Sequence, residues 1–224
     1  MPMKVGVVQF PGSCDERDAM WGVEQLGGSA ELLWHRDPSL YDVDAIILPG
    51  GFSYGDYLRC GAIARFSPVM QSVATFARDG GFVLGICNGF QVLCEAGLVP
   101  GALVRNAGLK FTCKSVHLHV EQSVCRLVDA SAGETLRIPV KNGEGRYVAD
   151  KDTVARMRDA GQIVFRYLDN PNGSVDDIAG VCNEAGNVLG MMPHPEHAVD
   201  AEVGFRTADG AAVLRALLKA PARA

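Results

Sequence analysis

The sequence predicts an α/β fold, a three-layer sandwich whose mixed central sheet is mostly parallel. In the first half of the chain, short apolar strand segments alternate with helical segments, which is typical of parallel sheets covered on both faces. In the second half, apolar and polar residues alternate within segments, as in antiparallel strands. No repeat, low-complexity tract or linker separates the halves, so we expect residues 1–224 to form a single domain.

The elements of the first half follow from apolar runs and the residues that break them. Glycines 27 and 28 end the first helix, and Pro49 ends the third strand. Ligands of such sheets bind beyond the carboxyl ends of the strands. The predicted strands are Lys4–Gln9, Ala30–Trp34, Asp44–Leu48 and Phe82–Ile86, and the predicted helices are Asp15–Leu26, Val69–Arg78 and Gln91–Ala96.

The second half is predicted to add strands and a closing helix. Alternating polarity indicates two antiparallel strands at Thr112–Val120 and Ser123–Val128. Residues 220–224 are expected to fray at the end of the chain. Further predicted strands are Ile163–Leu168, Ile178–Cys182 and Val188–Met192, and the predicted last helix is Ala208–Lys219.

Composition narrows the class of protein. The chain has 224 residues, 48% hydrophobic and 21% charged, with a formal net charge of −5. No apolar run is long enough to span a membrane or to form a signal peptide, and no basic stripe favours nucleic-acid binding. Seven cysteines without a CxxC pair favour reduced thiols, and hence a cytoplasmic protein.

The segment Gly85–Gln91 contains a candidate nucleophile. It reads Gly-Ile-Cys-Asn-Gly-Phe-Gln and lies between a predicted strand and a predicted helix. Gly-x-Cys-x-Gly in that context is a nucleophile elbow, in which the flanking glycines allow a sharp turn that exposes the central side chain. The adjoining helix N-terminus favours a thiolate. We therefore predict that Cys87 is a nucleophile for acyl transfer.

A base for this cysteine is predicted after the strand that ends near Met192. His194 lies between two prolines, which stiffen its loop, and Glu196 follows two residues later. A carboxylate at that position can accept from one imidazole nitrogen and orient the ring, as in a cysteine–histidine–acid triad. We predict that Cys87, His194 and Glu196 are catalytic.

The strand end at Pro49 supplies the remaining parts of the predicted site. Glycine lets the backbone approach a substrate closely, so the N–H groups of Gly51 and Asn88 are the expected oxyanion donors. Gly50 and Phe52, which flank Gly51, are expected to contact the substrate.

These motifs together resemble the class I glutamine amidotransferases, and in particular the family of glutaminase subunits of phosphoribosylformylglycinamidine synthase. The similarity spans nearly the whole chain, and Asn88 after the cysteine separates this family from sister amidotransferases. The segments that resemble the family are Val7–Ser13, Gly50–Ala62, Gly85–Leu93, Asn142–Tyr147 and Asn170–Ser174.

The resemblance implies an amidotransferase-like fold and a division of labour between subunits. The chain would hydrolyse L-glutamine, with Gln91 helping to hold it, and would deliver ammonia to a large synthetase subunit that uses ATP and magnesium. A small third subunit would bridge the two. The chain itself has no P-loop pattern, so no cofactor is expected on it.

Several residues depart from the pattern or stay without a chemical role. The family often has histidine at position 142 and arginine at position 197, where this chain has Asn142 and His197. His35 and His197 are expected in surface or loop positions. His117 and His119 lie on one face of a predicted strand, but two ligands are too few for a zinc site, so no metal is predicted. The glycine-rich loop 52–65 is expected to be a contact surface beside the glutamine pocket.

Three other interpretations remain open from the sequence. The chain could be the glutaminase of an amidotransferase with a different acceptor, a catalytically silent module of the same fold, or a cysteine hydrolase such as a deglycase or peptidase. The intact triad argues against the silent module, and the Pro-His-Pro-Glu segment argues against a deglycase.

Overall fold

A mixed sheet of nine strands organises the chain. The computed structural model describes residues 2–203 and 206–219, so the expected fraying of residues 220–224 lies outside the described part. The strands are β1 (Lys4–Gln9), β2 (Ser29–Trp34), β3 (Ala45–Leu48), β4 (Phe82–Ile86), β5 (Ala102–Val104), β6 (Thr112–Val120), β7 (Thr135–Asn142), β8 (Arg146–Val148), β9 (Ile163–Tyr167), β10 (Ile178–Cys182) and β11 (Val188–Met191). The α-helices are α1 (Glu16–Gln25), α2 (Pro68–Arg78), α3 (Asn88–Glu95), α4 (Lys151–Asp159) and α5 (Ala211–Leu218).

The sheet has a parallel half and an antiparallel half. Its strand order is β2-β1-β3-β4-β11-β10-β9-β6-β7, and β5 and β8 form a separate two-stranded sheet. Strands β2, β1, β3, β4 and β11 pair in parallel, and the pairings from β11 to β7 are antiparallel. The predicted mixed α/β sheet is thereby confirmed.

The hydrophobic core is centred on the parallel half. Every residue of β3 is fully buried, as expected for a central strand covered on both faces. Helix α1 packs on β1 and β2, and α3 packs on β3, β4 and β11. The apolar runs that predicted these strands are therefore the runs that fill the core.

One predicted strand, Ser123–Val128, is wrong. The segment is irregular because its backbone bonds to separate loops, Val124 N–H to Gly161 and Arg126 N–H to Gly186, instead of to one partner strand. Leu127 of this segment is fully buried, and Cys125 and Val128 pack against the core while partly buried.

Four elements were not predicted. Strand β7 contains Pro139, which weakens a strand pattern, and β7 tolerates it because it is the edge strand of the sheet. Helix α4 begins after Asp150, whose carboxylate accepts from Thr153 N–H at 2.7 Å as an N-cap. Strands β5 and β8 have three residues each, too few for a periodic signal.

His35 lies in the turn after β2, a loop position as the sequence predicted. The residue is buried, its ring lies against Trp34, and its Nδ1 pairs with the Tyr54 hydroxyl at 2.7 Å. Burial, together with the charge of Arg36, lowers the pKa of its imidazole. It is therefore a neutral core histidine that anchors the 52–65 loop.

Candidate active site

Four adjacent strands of the parallel half direct their following residues to one edge of the sheet. In sheet order these strands are β1, β3, β4 and β11, and the residues that follow them are Asp15, Gly51, Cys87 and His194. Strands β4 and β11 are paired in register up to Ile86 and Met191. This pairing explains how Cys87 and His194, which lie far apart in the sequence, become neighbours in the fold.

Cys87 occupies a strained turn between β4 and α3. Its φ is 50° and its ψ is −102°, a conformation that L-residues rarely adopt. The glycines on both sides permit the close packing: a Cβ on Gly89 would lie 1.9 Å from the Leu48 carbonyl oxygen, and one on Gly85 would lie 2.8 Å from the Gly89 backbone. The thiol is directed into a cavity and donates to the Lys141 carbonyl oxygen at 3.7 Å.

His194 and Glu196 form a buried pair in the loop after β11. The His194 Nδ1 lies 2.6 Å from Glu196 Oε1, and both side chains are almost completely buried. Burial lowers the pKa of His194, but the charges of Glu196 and Cys87 more than offset this effect and raise that pKa to about 10. Cys87 and His194 line the same cavity, and the His194 Nε2 has no hydrogen-bond partner within the described part of the chain.

Asp15 is a second carboxylate on this imidazole, and the sequence analysis missed it. One of its oxygens lies 3.7 Å from His194 Nδ1, and the other is 2.5 Å from Lys141 Nζ. Burial raises the pKa of Asp15, but the nearby His197 imidazole and the charges of His194 and Lys141 hold it well below its usual range. Asp15 follows β1 at the carboxyl end of a parallel strand, where the ligands of such sheets bind, so its position could have indicated a site residue.

The backbone conformation and the surroundings of Gly51 fit the role of an oxyanion donor. Its φ of 146° suits glycine, and a Cβ there would lie 2.7 Å from both Cys14 N and Gly12 O. The N–H of Phe52 is already bonded to Gly12 O at 2.8 Å, whereas the N–H of Gly51 has no acceptor among the residues that the structure describes. The Gly51 N–H is therefore available to a ligand.

A buried chain of amides holds the opposite wall. The side-chain Oδ1 of Asn88 accepts from Ser53 N–H at 3.1 Å, and its Nδ2 donates to Gln91 Oε1 at 2.8 Å. Gln91 in turn donates to the Glu144 carbonyl oxygen at 2.7 Å. This chain ties the 52–65 loop to helix α3, and it orients Gln91 at the cavity wall.

Gly50, which the sequence predicted to contact the substrate, lies against Asp15 and His194 at the end of β3. A Cβ at this position would lie 2.2 Å from Asp15 Oδ2 and 2.7 Å from His194 Cε1. Gly50 is not among the cavity-lining residues, although Gly51 and Phe52 are. Its role is to let the carboxylate and the imidazole approach the end of β3.

The cavity measures about 390 Å³ and contains charges of both signs. The charged lining residues are the acidic Asp15, Asp56 and Glu144 and the basic Arg105, Lys110 and Lys141. A zwitterionic amino acid with a short side chain is compatible with this size and charge distribution.

Three cysteines line the cavity, and two of them are poor nucleophiles. Burial raises the pKa of Cys60, and so does its contact with Glu144 at 3.1 Å. Burial and the charge of Asp15 raise the pKa of Cys14. Both thiols stay protonated at neutral pH, so the placement beside His194 singles out Cys87 as the candidate nucleophile.

His197 lies in the loop after β11, a loop position as the sequence predicted, and its side chain is partly buried. It lies in a short 3-10 turn, Pro195–Ala198, with its ring perpendicular to that of His194 at 5.3 Å. Its Nε2 lies 3.6 Å from Asp15 Oδ1 and 3.4 Å from Glu196 Oε1. The strand histidines are as expected, because His117 and His119 both lie on β6.

Comparison with known proteins places the chain in a family. Residues 2–206 match the family model described as a CobB/CobQ-like glutamine amidotransferase domain. A phosphoribosylformylglycinamidine synthase subunit PurQ from Rubrobacter xylanophilus is 56% identical over 217 residues, which is 96% of this chain and 98% of that protein. The subunit of the same name from Synechococcus elongatus is 55% identical, over 97% of this chain and 98% of that one.

A solved structure agrees with these relatives in sequence and in fold. The structure of PurLQS from Thermotoga maritima contains a chain that is 43% identical, with a TM-score of 0.89 and coverage of 97% of this chain and 98% of that chain. The family resemblance inferred from the motifs is thereby confirmed. The chain belongs to the CobB/CobQ-like glutamine amidotransferases and, among them, to the PurQ subunits of phosphoribosylformylglycinamidine synthase.

Proposed function

We propose that this chain is the glutaminase component of phosphoribosylformylglycinamidine synthase, hydrolysing glutamine and supplying ammonia for purine biosynthesis. The observation that carries the proposal is the strained Cys87 turn beside the buried His194–Glu196 pair, at the wall of a cavity large enough for glutamine. The continuous nine-stranded sheet supports a single domain.

In the acylation step, the Cys87 Sγ attacks the side-chain amide carbon of glutamine. The N–H groups of Gly51 and Asn88 stabilise the oxyanion, an interaction whose loss typically costs ~10²–10³ in rate. His194 gives its proton to the departing ammonia, and Glu196 keeps the ring oriented. The C–N bond breaks and a thioester remains on Cys87.

Hydrolysis of the thioester needs His194 as a base. Acylation removes the negative charge of Cys87, which is one of the charges that raise the His194 pKa. The pKa of His194 therefore falls when the thioester forms, and the neutral imidazole can accept a proton from water. Water then attacks the thioester carbon, glutamate leaves, and the thiolate–imidazolium pair is restored.

The ammonia acceptor lies on other subunits. The relatives are named as subunits of a synthase, and the matched structure is a PurLQS assembly. A large synthetase subunit would bind ATP and magnesium and convert formylglycinamide ribonucleotide to formylglycinamidine ribonucleotide, with a small subunit bridging the two chains.

All seven cysteines are free, which supports a cytoplasmic site of action. Among the described residues, no helix is long and apolar enough to cross a lipid bilayer.

The 52–65 loop is the proposed contact with the large subunit. Tyr57 and Leu58 of this loop are highly exposed apolar side chains, while Arg59 anchors the loop to Glu95 at 2.5 Å. Because Phe52 starts this loop directly after Gly51, partner binding can align the oxyanion donor. A tenfold gain in rate would need about 1.4 kcal/mol of differential binding.

The test is ammonia release from glutamine by the chain alone and with the large and small subunits, ATP and nucleotide substrate. The proposal predicts a slow free chain and a fast complex. Equal rates would favour a stand-alone hydrolase, and release coupled only to a different acceptor would favour another amidotransferase.

A further inference from the structure

Four side chains beside the proposed catalytic pair are spaced like the ligands of a metal ion. Asp15, His194, Glu196 and His197 each present one ligand atom, and these atoms all lie within 4.8 Å of one another. Asp15 precedes helix α1, and the other three residues belong to the loop after β11. The fold therefore brings two imidazoles and two carboxylates together from two separate segments.

Several distances within the cluster, which involve both oxygens of Asp15, are close to the distances between the ligands of a tetrahedral zinc ion. Nδ1 of His194 is 3.7 Å from Asp15 Oδ2, and Nε2 of His197 is 3.6 Å from Asp15 Oδ1 and 3.4 Å from Glu196 Oε1. Ligands bound tetrahedrally to zinc at ~2.0–2.2 Å are about 3.3–3.6 Å from each other. His194 Nδ1 and Glu196 Oε1 are closer, at 2.6 Å, because they share a proton. An ion bound by both atoms would replace that proton.

The cluster has unused ligand capacity. Nε2 of His197 and Oε2 of Glu196 are shielded from solvent and have no hydrogen-bond partner among the described residues, and Glu196 is completely buried. Two carboxylates face the centre of the cluster, and Lys141 offsets part of their charge through Asp15. A divalent cation would satisfy these acceptors and add the missing positive charge.

The cluster lies between two cavities. The second cavity, of about 400 Å³, is lined by Asp18, Trp21, Glu196, His197 and Val203. None of these residues lines the first cavity, which Asp15 and His194 do line. Only the layer of the Glu196 and His197 side chains therefore separates the cluster from the second cavity.

We propose that Asp15, His194, Glu196 and His197 form an inhibitory site for a zinc-like divalent cation. The cation replaces the proton on His194 Nδ1 and takes that nitrogen away from Glu196. The imidazole then cannot become the imidazolium that protonates departing ammonia. The inhibition rests on the proposed glutaminase function, whereas cation binding does not.

Cobalt titration of the full-length chain tests the binding. Cobalt(II) should give the visible absorption of a tetrahedral site with nitrogen and oxygen ligands, and zinc should displace it. His197→Gln should weaken the affinity by about tenfold or more, because it removes one ligand. Asp18→Asn is the matched control: Asp18 contacts His197 at 3.6 Å but lies outside the four ligands, so this variant should bind normally.

Cys87→Ser separates this site from zinc capture by the nucleophile. The proposal predicts that Cys87→Ser binds cobalt like the unmodified chain and that neither gives a thiolate-to-cobalt charge-transfer band. A charge-transfer band, loss of binding in Cys87→Ser, unchanged binding in His197→Gln, or no cobalt spectrum would each overturn it.

In the active complex, zinc should inhibit glutamine hydrolysis in Asp18→Asn and inhibit it at least about tenfold more weakly in His197→Gln. Spectroscopic binding without any glutaminase activity would reject the proposed function and leave the site intact.

Discussion

At the scale of single residues, His194 and Glu196 contribute unequally to the proposed chemistry. His194 transfers protons in both steps, whereas Glu196 orients the ring and stabilises its charge. His194→Ala should therefore lower kcat by ~10²–10⁴, and Glu196→Gln should lower it less. Steady-state ammonia release in the assembled complex measures both effects. An equal or larger loss in Glu196→Gln would contradict the assigned roles.

The charge state of His194 gives a second test at this scale. Burial lowers its pKa, but Glu196 and Cys87 raise it to about 10, against about 6.5 for a free histidine. The imidazolium should therefore persist through neutral pH, and an NMR titration of the His194 ring should have its midpoint near 10. Glu196→Gln should lower that midpoint. A wild-type midpoint near the ordinary histidine value would contradict the thiolate–imidazolium pair.

The same shift has a consequence for stability. A group whose pKa is raised by folding stabilises the native state fully below its unfolded pKa, and this contribution is lost as pH rises through the folded value. The contribution of His194 should thus be complete below about pH 6.5 and disappear as the pH rises through about 10. The urea midpoint measured across that window should fall less in Glu196→Gln than in the unmodified chain.

At the scale of elements, the packing of β3, β4 and α3 depends on Gly89. An added Cβ would lie 1.9 Å from the Leu48 carbonyl oxygen, which is backbone that cannot rotate away. Gly89→Ala should destabilise the fold by ~1–3 kcal/mol in urea unfolding and reduce kcat by displacing the Cys87 turn. Gly108→Ala is the matched control, since a Cβ there meets nothing within 4 Å, and it should change stability by less than ~0.5 kcal/mol. Equal stability of the two variants would show that the turn is not constrained by this contact.

The sequence predicted elements well where the signal was local. Strands β1, β3 and β4 are apolar runs ended by a glycine, a proline or a polar residue, so their bounds were close to the observed ones. The Ser123–Val128 prediction was wrong because alternation reports which residues are buried and does not report where backbone hydrogen bonds go. Helix α4 was missed because only Val154 and Met157 of its residues are buried, which is a weak apolar stripe.

Among the site residues, too, those in short sequence motifs were predicted and those that depend on contacts between distant parts of the chain were missed. Cys87, His194 and Gly51 were predictable because each lies in a short motif at a strand end. Asp15 and Lys141 were missed because their contact spans 126 positions and depends on the sheet order. The approach of His197 to Asp15 depends likewise on the pairing of distant strands.

At the scale of the whole molecule, coupling to the synthetase should depend on the 52–65 loop. Tyr57 is 74% exposed, so Tyr57→Glu should preserve the fold while weakening activation by the large subunit. The control is Val124→Glu: Val124 is also exposed and lies beside Gly161 and Gly186, at the opposite edge of the sheet from Cys87. The ratio of complexed to free glutaminase rates should fall only in Tyr57→Glu. The same fall in both variants, or in neither, would argue against this contact surface.

At this scale, glutamine is hydrolysed through a thioester on Cys87 and the ammonia is used on another subunit. Both parts are tested by comparing glutamine and ammonium salts as nitrogen donors in the complex that contains Cys87→Ser. Product formation from glutamine should be abolished, while formation from ammonia should stay near the wild-type rate. Retained glutamine-dependent synthesis, or equal loss with both donors, would contradict this mechanism.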